Sequence, residues 1–189
     1  QLGGAAQSAV TAAEACAIEP ALAHHNEPFS GAIYTESECA ADCKKVCEAL
    51  AQILTARGVD LRLGQDFKRW VTSGDKVTAV GLSHGEEITA DAFVLCTGHT
   101  VAALAASAGV HLPVYPLKGY SLTAPIEAQH RPPEVSVTDF ERKILYARIG
   151  SELRVAAMAD LVGENLALDP ARVDALVRQV RASMPHGAD

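Results

Sequence analysis

The sequence lacks the features that mark a membrane-spanning or nucleic-acid-binding protein. Its longest mostly apolar patch, residues 101–110, falls short of the roughly 20 residues that a membrane span requires. No basic segment followed by an apolar core indicates a signal peptide. Lysine and arginine are scattered, and the net charge of −7 disfavours nucleic acid as a partner, because nucleic-acid-binding proteins usually present a basic face. We therefore expect a globular cytoplasmic protein.

The five cysteines form no pattern that predicts a disulfide framework or a metal site. Their number is odd and no secretory signal accompanies them, so paired cysteines are disfavoured. Cys39, Cys43 and Cys47 recur every four residues, which places them along one helical face. A zinc site needs ligands that converge from two segments. We predict small buried side chains here and no bound metal.

Familiar catalytic motifs are also absent. The sequence contains no GxSxG and no HExxH, which disfavours serine hydrolases and metalloproteases. It contains no GxGxxG, so a complete dinucleotide-binding loop is missing as well. The seven histidines form no catalytic grouping. The remaining evidence is the order of helix and strand patterns along the chain.

The middle of the chain has the pattern of an α/β nucleotide-binding domain. Apolar residues at helical spacing predict a helix over 41–57, and residues 59–63 a short strand. Residues 67–88 predict a three-stranded meander with two glycine-containing hairpin turns. The continuous apolar run AFVLCTG predicts a strand buried on both faces, followed by a helix from 100 to 108.

Thr97 and Gly98 lie in the predicted turn between this buried strand and the helix. Ligands of open α/β sheets bind at the carboxyl ends of the strands, so these two residues are candidates for cofactor contact. A glycine at such a turn can also serve the backbone alone. Both interpretations stay open on the pattern by itself.

The remainder of the chain predicts a sheet and a closing helix. Three segments have strand patterns: 117–123, 143–149 and 152–158. Asp169 followed by Pro170 is typical of a helix start, with an apolar face after it. The alanine-rich residues 3–24 predict helical pieces, and residues 33–35 predict a strand.

The stretch LPVYPLKGYSLTAP, residues 112–125, alternates like a strand but carries Lys118, Gly119 and Tyr120 where a core strand would carry valines. Its prolines hold the residues before them extended, and Gly119 permits a close approach of other backbone. The period of two puts Lys118 and Tyr120 on one face and Ser121 on the other.

This stretch resembles the D-amino acid dehydrogenase small-subunit family, in the D-amino acid oxidase-like group of FAD-dependent oxidoreductases. The resemblance continues, in matching order and spacing, through four other segments: IEPALA, DCKKVCEALAQILTARGVDLRLG, ADAFVLCTG and ILYARIGSELRVAAMADLVG. It therefore extends along almost the entire chain.

The resemblance implies a mixed α/β (α+β) fold. It combines part of an FAD-binding Rossmann-like domain, with a β-meander, and an antiparallel-sheet substrate domain with flanking helices. Residues 1–40 would belong to the substrate domain, 41–108 to the FAD-binding domain, and 109–189 to the substrate-domain sheet and closing helix. The family's dinucleotide fingerprint is expected before Gln1. Its C-terminal flavin segment and the arginine that binds the substrate carboxylate are expected after Asp189.

The resemblance also implies FAD as the cofactor and a set of site residues. Thr97 and Gly98 would lie beside the cofactor, and Phe67 near its adenine end through its backbone. The implied substrate-cavity residues are Tyr120, Tyr146 and Met158. No catalytic residue is assigned, because the flavin performs the chemistry and the protein orients the substrate.

The implied reaction transfers hydride from the α-carbon of a D-amino acid to flavin N5, and the imino acid then hydrolyses to a 2-oxo acid and ammonia. Electrons would pass to a quinone or another membrane carrier, which would place the enzyme at the inner face of the cytoplasmic membrane. Ala156-Ala157 stands where the family has a glycine pair, and the added methyl groups oppose the close approach of backbone to flavin or substrate that glycine permits. The alternative is a non-catalytic or partner-dependent domain that cannot bind FAD by itself.

Overall fold

The computed structural model describes residues 6–188. Residue contacts divide the chain into two compact units. The first unit combines the N-terminal part up to Val46 with the part from Leu117 onward, and the second is Cys47–Pro116. The assignment of 1–40, 41–108 and 109–189 to substrate and cofactor domains stays a prediction.

The described residues form nine strands, four α-helices and two short 3-10 helices. The strands are β1 (Ser8–Thr11), β2 (Gly31–Tyr34), β3 (Phe67–Ser73), β4 (Lys76–Leu82), β5 (Glu87–Thr89), β6 (Lys118–Pro125), β7 (Val137–Asp139), β8 (Ile144–Ile149) and β9 (Glu152–Asp160). The helices are α1 (Ala12–Ile18), α2 (Cys43–Ala56), α3 (Val101–Ala106) and α4 (Pro170–Ser183), with 3-10 turns at Pro20–His24 and Gly98–Thr100.

A four-stranded antiparallel sheet in the order β6-β9-β8-β7 forms the centre of the first unit. The three predicted strands are confirmed, and β7 is an additional edge strand. Helix α4 begins as predicted, because the Asp169 side chain accepts a hydrogen bond from the Ala171 N–H at 2.9 Å and Pro170 occupies the first turn. The unit's buried core consists of Ala21, Tyr120, Ile144, Tyr146, Leu153, Val155, Ala157, Leu176 and Met184.

Strand β6 shows the predicted alternation, with Tyr120 buried and Ser121 exposed. Opposite Gly119, β9 contains one residue more than β6, which makes a β-bulge. Met158 lies in this bulge with φ of 68°, a left-handed conformation that is unusual for a non-glycine residue. A Cβ at Gly119 would lie 3.6 Å from the Met158 carbonyl oxygen, which is an ordinary contact. The described chain therefore makes no close approach that requires a glycine there.

The alanine-rich N-terminal region differs from its prediction. Residues 3–5 lie outside the described residues, and Ser8–Thr11 form strand β1, which pairs antiparallel with β2. Helix α1 starts only after this strand, where Thr11 and Glu14 form a capping box. The helix propensity of alanine is a weak preference, and pairing with β2 outweighs it.

The second unit contains the predicted three-stranded meander, in the order β3-β4-β5. Trp70 on β3 connects the meander to α3, because its indole Nε1–H lies 3.0 Å from the Leu104 carbonyl oxygen and 3.1 Å from Ser107 Oγ. Helix α3 is shorter than predicted, since residues 98–100 form a 3-10 turn before it. The helix nevertheless follows the Thr97-Gly98 turn, as the sequence indicates.

Two predicted strands of this unit do not form. Residues 59–63 and 92–96 make no strand pairing, and Leu63 and Val94 are 84% and 85% exposed. An extended segment becomes a strand only when a neighbour receives its backbone hydrogen bonds, and no described residue does so here. The burial predicted for AFVLCTG is therefore wrong for this chain.

Helix α2 confirms the helix predicted over 41–57, and Asp42 caps its first turn by accepting two backbone N–H groups at 3.1 and 3.2 Å. No residue of α2 is buried. Its apolar residues and its cysteines are accordingly exposed, including Cys39 just before it. The prediction of buried thiols at Cys39, Cys43 and Cys47 is wrong, because no described element packs over this helix face.

Candidate functional site

The predicted cofactor turn is an exposed, open corner of the second unit. Gly98 has φ of 58°, and a Cβ built on it would meet no atom within 4 Å. Thr97 is exposed, and its hydroxyl makes no capping hydrogen bond to the following helix. Its carbonyl accepts a hydrogen bond from the Thr100 hydroxyl at 2.9 Å. The positive φ explains the glycine on backbone grounds. The free space beside it leaves room for a ligand to approach the backbone.

Phe67, the third predicted cofactor residue, begins strand β3 of the same unit. Its ring lies 4.8 Å from that of Trp70, and Trp70 lies 6.3 Å from Phe93. The Phe67 side chain is therefore committed to an aromatic cluster that holds the meander together. The predicted contact is made through its backbone, which begins β3 in register with Leu82 of β4.

The predicted substrate residues Tyr120, Tyr146 and Met158 come together in the first unit. Tyr120 and Tyr146 point to the face of the sheet that α4 covers, and only 6% and 1% of their surfaces are exposed. Tyr146 Oη is hydrogen-bonded to Ser183 Oγ on α4, and burial raises the pKa of the Tyr146 phenol. Met158 is partly buried against the same core. The tyrosines are thus packed inside the unit rather than open to a ligand.

One end of this sheet is rich in charge. Lys118 Nζ lies 5.2 Å from the centre of the Tyr120 ring and donates to the Ala167 carbonyl. Arg172 at the start of α4 forms an ion pair with Asp160 at the end of β9. Hydrogen bonding to Asp160 raises the pKa of the Arg172 guanidinium. These contacts fasten the loop between β9 and α4 to the sheet.

The other face of the sheet carries functional candidates that the sequence patterns did not single out. Ser121, Arg154 and Leu145 project to this face, opposite Tyr120 and Tyr146. The Arg154 guanidinium donates to Ser121 Oγ at 3.2 Å. The period-two alternation already separated Ser121 from Tyr120, and the same rule applied to β9 would have identified Arg154.

The first unit also contains two hollows, of about 480 and 320 Å³. Glu134 and Arg148, which form an ion pair, line both of them. Beside them the buried carboxylate of Glu19 accepts three backbone N–H groups, at 2.7 Å from Glu134, 2.8 Å from Val135 and 2.9 Å from Ala21. These charged groups are satisfied by the chain itself and serve to hold the loop before β7 in place.

Neither a metal site nor a membrane-spanning helix occurs among residues 6–188. No group of three or more His, Cys, Asp or Glu side chains in that range is arranged to hold a metal ion. In the same range, no helix has the length and apolar character needed to cross a bilayer.

Comparison with known protein families identifies the family of this chain. The family described as FAD-dependent oxidoreductase matches residues 1–189. The chain belongs to the FAD-dependent oxidoreductase family. The sequence resemblance is thereby confirmed, and FAD is the cofactor of the family.

Curated relatives match along nearly the whole chain. D-amino acid dehydrogenase 2 of Pseudomonas aeruginosa is 48% identical over 185 residues, which are 97% of this chain and 44% of that protein. D-amino acid dehydrogenase 2 of Ralstonia nicotianae is 44% identical over 187 residues, which are 96% of this chain and 44% of that protein. The chain therefore spans less than half the length of these relatives.

Solved structures of other proteins share the fold. Glycine oxidase from Geobacillus kaustophilus superposes with a TM-score of 0.82 at 20% identity, covering 96% of this chain and 47% of that one. L-proline dehydrogenase from P. horikoshii gives a TM-score of 0.81 at 16% identity, covering 96% and 49%. The predicted mixed α/β fold with antiparallel sheets is confirmed, and the low identities carry no further conclusion.

Proposed function

We propose that the protein containing this chain oxidises D-amino acids with FAD as the hydride acceptor, yielding a 2-oxo acid and ammonia. The observation that carries the proposal is the identity of 48% to a D-amino acid dehydrogenase across 97% of the chain. Identity at that level over both units supports a shared substrate class as well as a shared fold. The sequence has no catalytic histidine or carboxylate motif, which is compatible with the proposal because the bound flavin supplies the hydride-accepting chemistry.

We propose that Thr97, Gly98 and the backbone of Phe67 contact the FAD. The open space at Gly98 supports this fit, because a cofactor can approach a backbone that has no side chain and no neighbouring atoms. The unused hydroxyl of Thr97 is available as a hydrogen-bond partner. These residues lie in the second unit, which accordingly contributes part of the cofactor site.

We propose that Tyr120, Tyr146 and Met158 contribute to substrate binding by fixing the strands of the first unit. The burial of both tyrosines supports a positioning role through β6 and β8 rather than direct contact. The left-handed Met158 sets the bulge at the end of β9, and such backbone outliers often accompany functional sites. Electron transfer to a quinone or another membrane carrier at the inner membrane face is part of the same proposal.

The test uses the natural gene product that contains this chain. We expect a purified protein with a flavin absorption spectrum that is bleached anaerobically by D-alanine but not by L-alanine, and that reduces an artificial electron acceptor. Quinone reduction in membrane fractions tests the acceptor. A protein that binds no FAD, or whose flavin is reduced by no D-amino acid, would refute the proposal.

Gly98 and Gly109 provide a matched pair for the cofactor contact. Both glycines have positive φ in the second unit, and a Cβ on either would meet no atom within 4 Å. Alanine therefore adds backbone strain of the same kind at both positions, where φ is 58° and 79°. We expect Gly98→Ala to weaken FAD binding about tenfold, which corresponds to about 1.4 kcal/mol, and Gly109→Ala to leave it unchanged. Equal FAD affinities in the two variants would contradict the assignment of Gly98.

A second candidate is a partner-dependent domain, and the exposed apolar segments favour it. Leu63 and Val94, at 84% and 85% exposure, belong to segments with strand-like sequence that find no pairing partner among the described residues. Further polypeptide that pairs with them would complete a cofactor-binding sheet. Incubating the 189-residue chain alone with FAD distinguishes the two cases: a chain that stays colourless after gel filtration is partner-dependent.

A further inference from the structure

The two faces of the four-stranded sheet differ in what covers them. One face is buried under α4, with Tyr120 and Tyr146 in the core. On the other face Ser121, Thr123 and Arg154 are exposed, and Leu145 is 41% exposed. No described helix covers this second face, which we call the open face and define by its exposed residues Ser121, Thr123, Leu145 and Arg154.

Arg154 lies at the centre of the open face and differs from the other arginines of the sheet region. Its strand, β9, has β6 on one side and β8 on the other, and Arg154 is paired in register with Thr123 and Ala147. Arg142, Arg148 and Arg172 each form an ion pair with a carboxylate. Within residues 6–188, no carboxylate forms an ion pair with Arg154, whose hydrogen bond goes to Ser121 Oγ at 3.2 Å.

The surroundings of Arg154 suit a small anion. Ala156, two residues along β9 on the same face, is small and only partly buried, so a ligand of a few atoms can lie against the strand beside the guanidinium. Ser121 orients the guanidinium through their hydrogen bond, and Thr123 offers a second hydroxyl on the neighbouring strand. A guanidinium presents parallel N–H donors that match the two oxygens of a carboxylate.

We propose that Arg154, oriented by Ser121, binds a carboxylate of the amino-acid substrate on the open face. The inference rests on the proposed function, because that function supplies a substrate with a carboxylate. It places a substrate-binding arginine within this chain. The carboxylate is the α-carboxylate, common to all amino acids, or the side-chain carboxylate of an acidic amino acid, and the experiment separates these sources.

The experiment compares Arg154→Met, Arg154→Lys and Arg178→Met in the holoenzyme formed by the natural gene product. Arg178 is a matched control, since it is an exposed arginine on α4, away from the open face. We expect Arg154→Met to raise KM about ten- to a hundredfold, because one charge-assisted pair is lost. Arg154→Lys keeps the charge without the planar pair of donors, so its KM should lie between the values of wild type and Arg154→Met. Arg178→Met should have the KM of wild type.

Two substrates identify the carboxylate. A rise in KM for both D-alanine and D-aspartate assigns Arg154 to the α-carboxylate, whereas a rise for D-aspartate alone assigns it to the side-chain carboxylate. Isothermal titration calorimetry with pyruvate, a product-like carboxylate, measures binding at the α-carboxylate position without turnover. The same titration with oxaloacetate, which carries both carboxylates, measures binding through the side-chain carboxylate.

The outcomes separate this inference from the proposed function. A wild-type protein without flavin reduction by any D-amino acid overturns the function and the inference together. An active wild type whose KM and ligand affinity are unchanged in Arg154→Met overturns only the inference. Flavin content and thermal unfolding of each variant, measured beside the kinetics, show whether a loss comes from the site or from misfolding.

Discussion

The hydrogen bond between Tyr146 and Ser183 offers a sharp test of how the first unit is held together. Ser183 Oγ donates to the Gln179 carbonyl at 2.8 Å, so its single proton is used within α4. The Tyr146 hydroxyl must therefore be the donor in its bond to Ser183. Tyr146 is 1% exposed and Ser183 is 3% exposed, so water cannot replace either partner.

The two single substitutions should have unequal effects. Tyr146→Phe removes the donor and leaves Ser183 with its bond to Gln179, so we expect a loss of about 1 kcal/mol in the free energy of unfolding. Ser183→Ala leaves the buried Tyr146 hydroxyl without an acceptor and should cost about 1–3 kcal/mol. The double variant removes both groups and should be no less stable than Ser183→Ala alone.

Alkaline titration gives an independent readout of the same bond. Burial raises the pKa of Tyr146 in the folded chain above the value of about 10 that the unfolded chain has. Its contribution to stability is therefore complete below about pH 10 and is lost as the pH rises through the folded pKa. Tyr146→Phe should lose this component of the alkaline destabilisation.

Urea unfolding followed by far-ultraviolet circular dichroism measures these differences. Ser183→Ala should have the lower urea midpoint of the two single variants. If Tyr146 acts only by holding β8 in place, Tyr146→Phe should keep the kcat and KM of wild type. Equal midpoints for the two variants, or a double variant that loses the sum of both costs, would refute the donor assignment. A large rise in KM in Tyr146→Phe without loss of stability would instead show direct substrate contact.

Three further predictions concern the rest of the chain. Glu19→Gln should lower the free energy of unfolding, measured by urea titration, by about 2–4 kcal/mol, because an amide cannot accept all three N–H groups. The control Glu36→Gln, at an exposed position, should change it by less than about 0.5 kcal/mol. Gly31→Ala should cost more than Gly98→Ala by thermal unfolding, since its Cβ would lie 2.4 Å from a backbone oxygen while the Gly98 position is open. Ellman's reagent should modify four cysteines rapidly and the half-buried Cys16 slowly.

Each of these has a contrary outcome. Equal stability of the two glutamine variants would mean that the buried carboxylate does not hold the loop before β7. A Gly98→Ala variant as unstable as Gly31→Ala would show that strain in the left-handed conformation, and not the clash, sets the cost. Five cysteines reacting at one rate would mean that the structure around Cys16 opens readily.

Local patterns were sufficient for elements whose partners are close in sequence. The meander of β3, β4 and β5 was predictable because hairpin turns and β-branched runs define it within one segment. The start of α4 at Asp169-Pro170 was predictable because capping depends on neighbouring residues only. The helix after the Thr97-Gly98 turn was predictable from the same kind of local evidence, although the strand predicted before the turn does not form.

Elements that depend on distant partners were not predictable in this way. The run AFVLCTG has the composition of a buried strand, yet it remains unpaired. A suitable composition is not sufficient for pairing, because a strand also needs a neighbouring strand to receive its backbone hydrogen bonds. Residues 8–11 became a strand because Gly31–Tyr34 lies beside them. The cysteines before and within α2 are exposed because no described element covers that side of the helix.

The sequence alone determined the family, the cofactor class and the alternation that separates Tyr120 from Ser121, since these depend on ordered motifs and on the period of a strand. Only the tertiary structure decided which face of the sheet is open. The packing of α4 buries Tyr120 and Tyr146 and leaves Arg154 exposed on the opposite side. The alternation of side chains along a strand defines two faces of the sheet. Which of them is buried depends on where a helix packs against the sheet and removes apolar surface from water.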